Sequence, residues 1–172
     1  MTGARSEGLK STALPVTNAA DTMPVGIGYH PYFQVHDAPR DEWRVHVAAR
    51  DKLTLSPQLI PTGERTSVQL PDPVSLKSTQ LDDVFSNLKT GADGRAIFWV
   101  QGKNEKVSVT YGPKYTVAVV YAPPGSNFIC FEPMAAITNA FNLANAGVYK
   151  EMQSIPSGGQ WRESFWVSTS GF

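Results

Sequence analysis

The sequence has 172 residues, the usual size of one domain, and its 15 basic residues are balanced by 15 acidic ones. The zero net charge argues against nucleic-acid binding, and no basic run suggests a membrane surface. The single cysteine, Cys130, excludes an internal disulfide. Neither an apolar signal segment nor a membrane-spanning stretch is present, so we expect a cytoplasmic protein.

Alternation of apolar and polar residues with a period of two, typical of β-strands, dominates the chain. A flexible lead-in is predicted over residues 1–11, and only residues 135–144 could hold a short helical turn. The predicted strands are 44–55, 96–100, 106–111, 115–121, 128–132 and 160–168. Residues 115–121 and 128–131 are apolar on both faces, which requires cover on both faces, as inside a sandwich. We therefore predict an all-β fold with mostly antiparallel strands.

Generic catalytic and cofactor motifs are missing from the sequence. The pair Gly26 and Gly28 lacks the third glycine and the helix of a dinucleotide-binding loop, and there is no Gly-x-Ser-x-Gly elbow. The three histidines, His30, His36 and His46, do not have the compact spacing of a zinc site, and no cysteine pair assists them. We predict neither a metal nor a cofactor.

Two residues are candidates for acid–base chemistry because of their surroundings. His30 stands among glycines and aromatic residues with a proline directly after it, a setting that also suits a packed histidine with one hydrogen bond. Glu132 follows an apolar run and precedes Pro133, where we expect the strand to end and the carboxylate to point into a cleft. Such a carboxylate tends to have a raised pKa, which suits a general base, although a surface glutamate at a strand end fits the same pattern.

Asp82 and Asp83 form a third polar feature, since both lie between apolar residues. Aspartates in this position often cap a turn. Together with a histidine and a glutamate, a carboxylate that holds hydroxyl groups would suit proton transfer on a sugar. The pattern does not distinguish Asp82 from Asp83 for that role.

Several of these residues belong to motifs that occur together in one family. In chain order the motifs are VTN (16–18), MPVGIGYHPYF (23–33), LIPTGE (59–64), LDDVF (81–85), VVYAP (119–123), FEPM (131–134) and TNAFN (138–142). With these motifs the sequence resembles the aldose 1-epimerase family, the galactose mutarotases, within the galactose mutarotase-like superfamily. The resemblance covers residues 12 to 168.

The resemblance implies a β-supersandwich and an enzyme that interconverts the α and β anomers of a free aldose without a cofactor. By analogy, Glu132 is the general base that takes the proton of the anomeric hydroxyl. His30 is the general acid that protonates the ring oxygen, and Asp82 holds sugar hydroxyls. Asp83 stands where many relatives have a histidine.

The length of the chain departs from the family, because the resemblance implies proteins about twice as long. Residues 12–172 look like the C-terminal part of the sandwich, without the arginine and the second histidine that the N-terminal half supplies. We therefore expect self-association or a complementing N-terminal half. A non-catalytic carbohydrate-binding module or an inactive fragment is the alternative function. A relative acting on sugar phosphates would need an arginine cluster, and Arg40, Arg44 and Arg50 are scattered.

Overall fold

The computed structural model describes residues 8–172, and its main elements are two antiparallel sheets of six strands each. The first sheet has the order β1 (Leu9–Ala13), β14 (Glu163–Ser170), β10 (Lys106–Tyr111), β9 (Ala96–Gln101), β4 (Arg44–His46) and β7 (Val74–Ser75). The second has the order β3 (Tyr32–Phe33), β12 (Ile129–Met134), β11 (Val117–Ala122), β8 (Leu81–Leu88), β5 (Ala49–Leu55) and β6 (Pro61–Ser67). This arrangement confirms the predicted all-β, antiparallel fold.

Three small elements complete the described structure. The strands β2 (Met23–Val25) and β13 (Gln153–Ile155) pair in a separate two-stranded sheet. A 3-10 turn covers Arg40–Glu42, and the helix α1 covers Ala140–Asn145, which overlaps the segment 135–144 predicted to hold a helical turn and extends one residue beyond it. Within residues 8–172, no helix has the length and apolar character that crossing a membrane requires.

The inner faces of the two large sheets form the main hydrophobic core. Phe98 of β9 stacks on Tyr111 of β10 at 4.7 Å between ring centroids and lies 6.2 Å from the ring of Phe131 in β12. All three side chains are completely buried. Because successive side chains of a strand point to opposite faces, the neighbours of these buried residues in each strand face outward. The sandwich therefore has one buried interface and two outer faces.

The outer face of the second sheet is covered at one place by the segment that follows β12. The apolar residues of this cover pack on the sheet in a second cluster, defined by Leu53, Val84, Val117, Ala136, Ile137, Ala140 and Tyr149. Val117 and its neighbour Ala118 thus belong to different clusters, one on each face of β11. The prediction that strand 115–121 needs cover on both faces is confirmed.

Several predicted boundaries differ from the structure. The chain turns at Val47 and Ala48, so that 44–55 forms two strands in different sheets; the N–H of Ala49 donates to the carbonyl of Val47 at 2.9 Å in this turn. The lead-in ends earlier than residue 11, because Leu9, Lys10 and Ser11 pair with the open edge of β14. Residues 1–7 of the lead-in lie outside the described residues.

The strand β12 does not end at Glu132 but continues through Pro133 to Met134. The missing N–H of a proline usually prevents this. Here the Pro133 carbonyl accepts a hydrogen bond from the N–H of Tyr29 at 3.2 Å. Because the N and O of one residue in a strand point to the same side, the proline nitrogen faces away from β11 and breaks no bond of that ladder. Glu132 therefore lies inside the sheet rather than at its end.

Candidate active site

A cleft of about 280 Å³ opens on the outer face of the second sheet, beside the covered area. His30, Glu132 and Asp82 line it together, although they come from three separate parts of the chain. Its other lining residues are Leu55, Leu59, Val84, Val119, Tyr121, Met134 and Thr138. The structure thus brings the three predicted site residues to one place.

Glu132 is held at the floor of the cleft by its position in β12. The strand lies between β3 and β11, and Val119 of β11 is the residue directly opposite Glu132. Only 7% of the residue is exposed. Its Oε1 lies 3.1 Å from the Nε2 of His30. The carboxylate is therefore almost completely shielded from solvent, and it contacts the imidazole of His30 at the mouth of the cleft.

His30 is fixed by the segment that runs alongside the end of β12. Gly28 bridges to Met134, and the N–H of Tyr29 donates to Pro133, so the residue that follows is held next to Glu132. The imidazole stacks on the ring of Tyr32 at 4.9 Å between centroids. Half of the His30 side chain is exposed. This face remains open to a ligand, which a packed core histidine would not offer.

Burial raises the pKa of Glu132 from 4.5 to about 7. Two charges modify this effect: His30 lowers the pKa, and the Asp82 carboxylate raises it. The Glu132 carboxyl therefore exchanges its proton near neutral pH, which is the range in which a general base is most effective.

The two neighbouring aspartates point to opposite faces of β8. Asp82 lies on the outer face and lines the cleft. Asp83 is opposite Val120, a residue of the main core, and its Oδ1 accepts a hydrogen bond from the Nζ of Lys52 at 2.7 Å. Because Asp83 is already paired and turned away, Asp82 is the aspartate whose carboxylate is available to a ligand in the cleft.

The other two histidines lie away from the cleft. His36 is exposed. His46 contacts the Asp72 carboxylate at 2.7 Å and stacks on Trp99 with 5.6 Å between centroids. Neither lines the cleft that contains His30.

One group of side chains in the described part of the chain has potential metal ligands close together. The ligand atoms of His30, Cys130 and Glu132 all lie within 4.8 Å of one another. Metal binding by cysteine requires the thiolate. Burial, and then the neighbouring Glu132, raise the pKa of Cys130 to about 12, so a neutral thiol is favoured and metal binding is disfavoured.

Several lining residues were not identified from the sequence as functional. Tyr121, Leu59 and Thr138 line the cleft beside the acidic residues. Each belongs to a motif that carried the family resemblance, VVYAP, LIPTGE or TNAFN. These motifs are the sequence signal that could have identified the three residues. Assigning a role to a single residue, however, requires knowing the register of the strands.

The chain matches the family model described as aldose 1-epimerase over residues 6–168. The match covers nearly the whole chain and is not confined to half of it. It begins before residue 12, where the family-like part of the chain was predicted to start. No curated protein sequence matches the chain.

Solved structures with the same fold include three from different organisms. A galactose mutarotase-like protein from Clostridium acetobutylicum is 19% identical, with a TM-score of 0.82 over 96% of this chain and 53% of its own. A galactose mutarotase related enzyme from Lactobacillus acidophilus is 14% identical, with a TM-score of 0.74 over 94% and 57%. An aldose epimerase homologue from C. elegans is 15% identical, with a TM-score of 0.68 over 94% and 56%. The galactose mutarotase-like fold is thereby confirmed, and the chain spans about half the length of these structures.

Proposed function

The chain belongs to the aldose 1-epimerase family, and from this premise we propose that it interconverts the α and β anomers of a free aldose. The observation that carries the proposal is the contact of 3.1 Å between His30 and a buried Glu132 whose pKa is about 7. Anomer exchange requires one ionised base and one protonated acid that act on two oxygens bonded to the same carbon.

In the proposed reaction, the ionised Glu132 removes the proton from the anomeric hydroxyl. The electron pair of that O–H bond forms the carbonyl of the open-chain aldehyde as the bond between C1 and the ring oxygen breaks. The protonated His30 gives its proton to the ring oxygen. Glu132 is then neutral acid and His30 neutral base, so after rotation about the C1–C2 bond they exchange roles and close the ring on the other face of the carbonyl.

Asp82 has the role of holding the sugar in this proposal. Its carboxylate faces the cleft, and among residues 8–172 it takes part in none of the ion pairs, in contrast with Asp83, which pairs with Lys52. A carboxylate accepts hydrogen bonds from neighbouring hydroxyls of a sugar. The negative charge of Asp82 also raises the pKa of Glu132, which makes Glu132 a stronger base.

A second candidate function is carbohydrate binding without catalysis. It is favoured by one observation: the chain spans only about half of the solved structures that share its fold. We propose that this part corresponds to the C-terminal half of the family, and that either a complementing N-terminal half or self-association adds the remaining wall of the cleft. In the absence of that wall, sugar binding alone would remain.

Polarimetry separates the two functions. Freshly dissolved α-D-glucose and α-D-galactose lose rotation slowly in buffer, and the proposed enzyme accelerates the approach to equilibrium. Glu132→Gln keeps the shape of the side chain and removes its basic oxygen, whereas Glu64→Gln changes an exposed glutamate outside the cleft. Acceleration by the wild type and by Glu64→Gln, but not by Glu132→Gln, supports the enzyme. Sugar binding without acceleration in the wild type supports the binding module.

A further inference from the structure

A second pocket, of about 350 Å³, lies on the same outer face as the cleft, at the other end of β8 and β11. On β8, Asp82 lines the cleft and Ser86 lines the second pocket. At a rise of about 3.3 Å per residue, the four residues from one to the other span roughly 13 Å. The second hydrophobic cluster lies between them, so the pockets are separate.

The second pocket contains a buried hydroxyl that has no hydrogen-bond partner among the described residues. Ser86 is 4% exposed, and its Oγ neither donates nor accepts a hydrogen bond. Buried hydroxyls in proteins are nearly always paired, so an unpaired one that lines a pocket is available to a polar group of a bound molecule or to an ordered water. The ligand must supply a donor, an acceptor or both to this oxygen.

Charged side chains on the rim restrict the charge of that ligand. Arg65 donates a hydrogen bond to the Glu151 carboxylate at 2.6 Å, and the Nδ2 of Asn87 donates to Asp51 at 3.0 Å. Two carboxylates against one guanidinium, which is already paired, disfavour an anion such as phosphate. The free lone pairs of the carboxylates accept from hydroxyl groups, while the guanidinium has N–H groups left to donate.

The remaining lining is mixed: Leu88, Ala96, Pro113 and Val117 are apolar, the rings of Tyr115 and Tyr149 lie beside them, and Thr90 and Thr116 add polar groups. A neutral sugar matches this combination, because each hydroxyl both donates and accepts while the C–H faces of the ring pack on apolar walls. We propose that the second pocket binds a neutral sugar as a non-catalytic site. Its lining contains no histidine, so it has no counterpart of the pair in the cleft. The inference does not depend on whether the cleft catalyses anomer exchange.

The test uses methyl α-D-glucopyranoside and methyl β-D-galactopyranoside, whose locked anomeric centres prevent turnover. Each is titrated into the ¹⁵N-labelled full chain, and the amide signals are followed by NMR. We expect saturable shifts, with a dissociation constant in the millimolar range, at residues 86–88, 116–117 and 149–151. Ser86→Val removes the hydroxyl and fills part of the pocket, so affinity at these signals should fall by about tenfold or more.

Two further variants complete the design. Ser168→Val makes the same substitution at an exposed strand position outside both pockets and should leave the titration unchanged. Asp51→Asn changes the rim without touching the core and should also weaken binding, which keeps the test valid if Ser86→Val does not fold. The proposal is overturned if the shifts are confined to the cleft, if neither glycoside causes shifts, or if Asp51→Asn and a folded Ser86→Val bind as the wild type does. Anomer exchange measured in Ser86→Val reports on the cleft separately.

Discussion

The backbone N–H of Tyr29 donates a hydrogen bond to the carbonyl of Pro133, with 3.2 Å between the two atoms. His30 follows the donor in sequence, and Glu132 precedes the acceptor. One backbone contact between distant parts of the chain therefore sets the imidazole and the carboxylate side by side. The pair does not depend on a flexible loop for its alignment, because the glutamate lies within the sheet and the histidine lies directly on its edge.

The first prediction concerns His30. His30→Asn removes the group that is proposed to give the proton, so catalysed anomer exchange should fall by about a hundredfold to ten-thousandfold. Since half of the side chain is exposed, the free energy of unfolding should change by less than about 1 kcal/mol. Polarimetry and thermal unfolding measure the two quantities. His36→Asn is the matched control and should keep full activity; equal losses in both variants would contradict the assignment.

The second prediction concerns the pH dependence of the reaction. The proposed base must be ionised in the free protein, and the pKa of Glu132 is about 7. The value of kcat/KM should therefore rise with pH through an acid limb whose midpoint lies near 7, rather than near the usual value of a glutamate. Rates at constant ionic strength between pH 5 and 9 give the profile. An acid limb centred below pH 5 would show that another group controls the rate.

The third prediction concerns the pH dependence of stability. The pKa of Glu132 is raised on folding, so the folded state holds this proton more tightly than the unfolded chain. The stabilisation of the folded state by the protonated Glu132 is therefore complete below about pH 4.5 and is lost as the pH rises to about 7. The slope is at most about 1.4 kcal/mol per pH unit. Chemical unfolding of the wild type and of Glu132→Gln at matched pH values measures the difference, which should be smallest at the acidic end. A constant difference would contradict the raised pKa.

The pair of catalytic candidates was predictable because each residue lies beside a proline in a distinctive apolar setting. The hairpin of β9 and β10 was predictable because its alternation is regular. The strand β8 was missed, since Asp82 and Asp83 interrupt the alternation at its second and third positions. The short strands β2, β3 and β7 depend on distant partners for their hydrogen bonds, and a local pattern does not contain that information.

The choice between Asp82 and Asp83 illustrates what sequence cannot determine. Adjacent residues of a strand point to opposite faces, so only one of them could line a cleft on a given face. Which one does so depends on the register of β8 with β11 and on the ion pair between Asp83 and Lys52. Both are long-range relationships. The pairing of His30 with Glu132 likewise depends on a long-range contact, the hydrogen bond from Tyr29 to Pro133.

The fourth prediction separates these two aspartates. Asp82→Asn should raise KM by about tenfold, since it replaces a charged hydrogen-bond acceptor by a neutral one. It should also move the acid limb of kcat/KM to lower pH, because the Asp82 charge raises the pKa of Glu132. Asp83→Asn weakens only the ion pair with Lys52 and should leave KM and the pH profile unchanged. A shift of the limb in Asp83→Asn instead would reverse the assignment.

The fifth prediction concerns Gly28, whose bridge to Met134 positions the residues of the cleft. A Cβ at Gly28 would overlap the Sδ of Met134 and lie 2.9 Å from its Cε. Because Met134 lines the cleft, we expect Gly28→Ala to push the thioether into the space for the sugar and to raise KM more than it lowers kcat. Steady-state rates give both values.

In the same segment, a Cβ at Gly26 meets only the Phe141 ring, at 3.2 Å. Phe141 is 53% exposed and free to yield, so Gly26→Ala should keep the wild-type KM. An unchanged KM in a folded Gly28→Ala would show that Met134 moves away from the cleft.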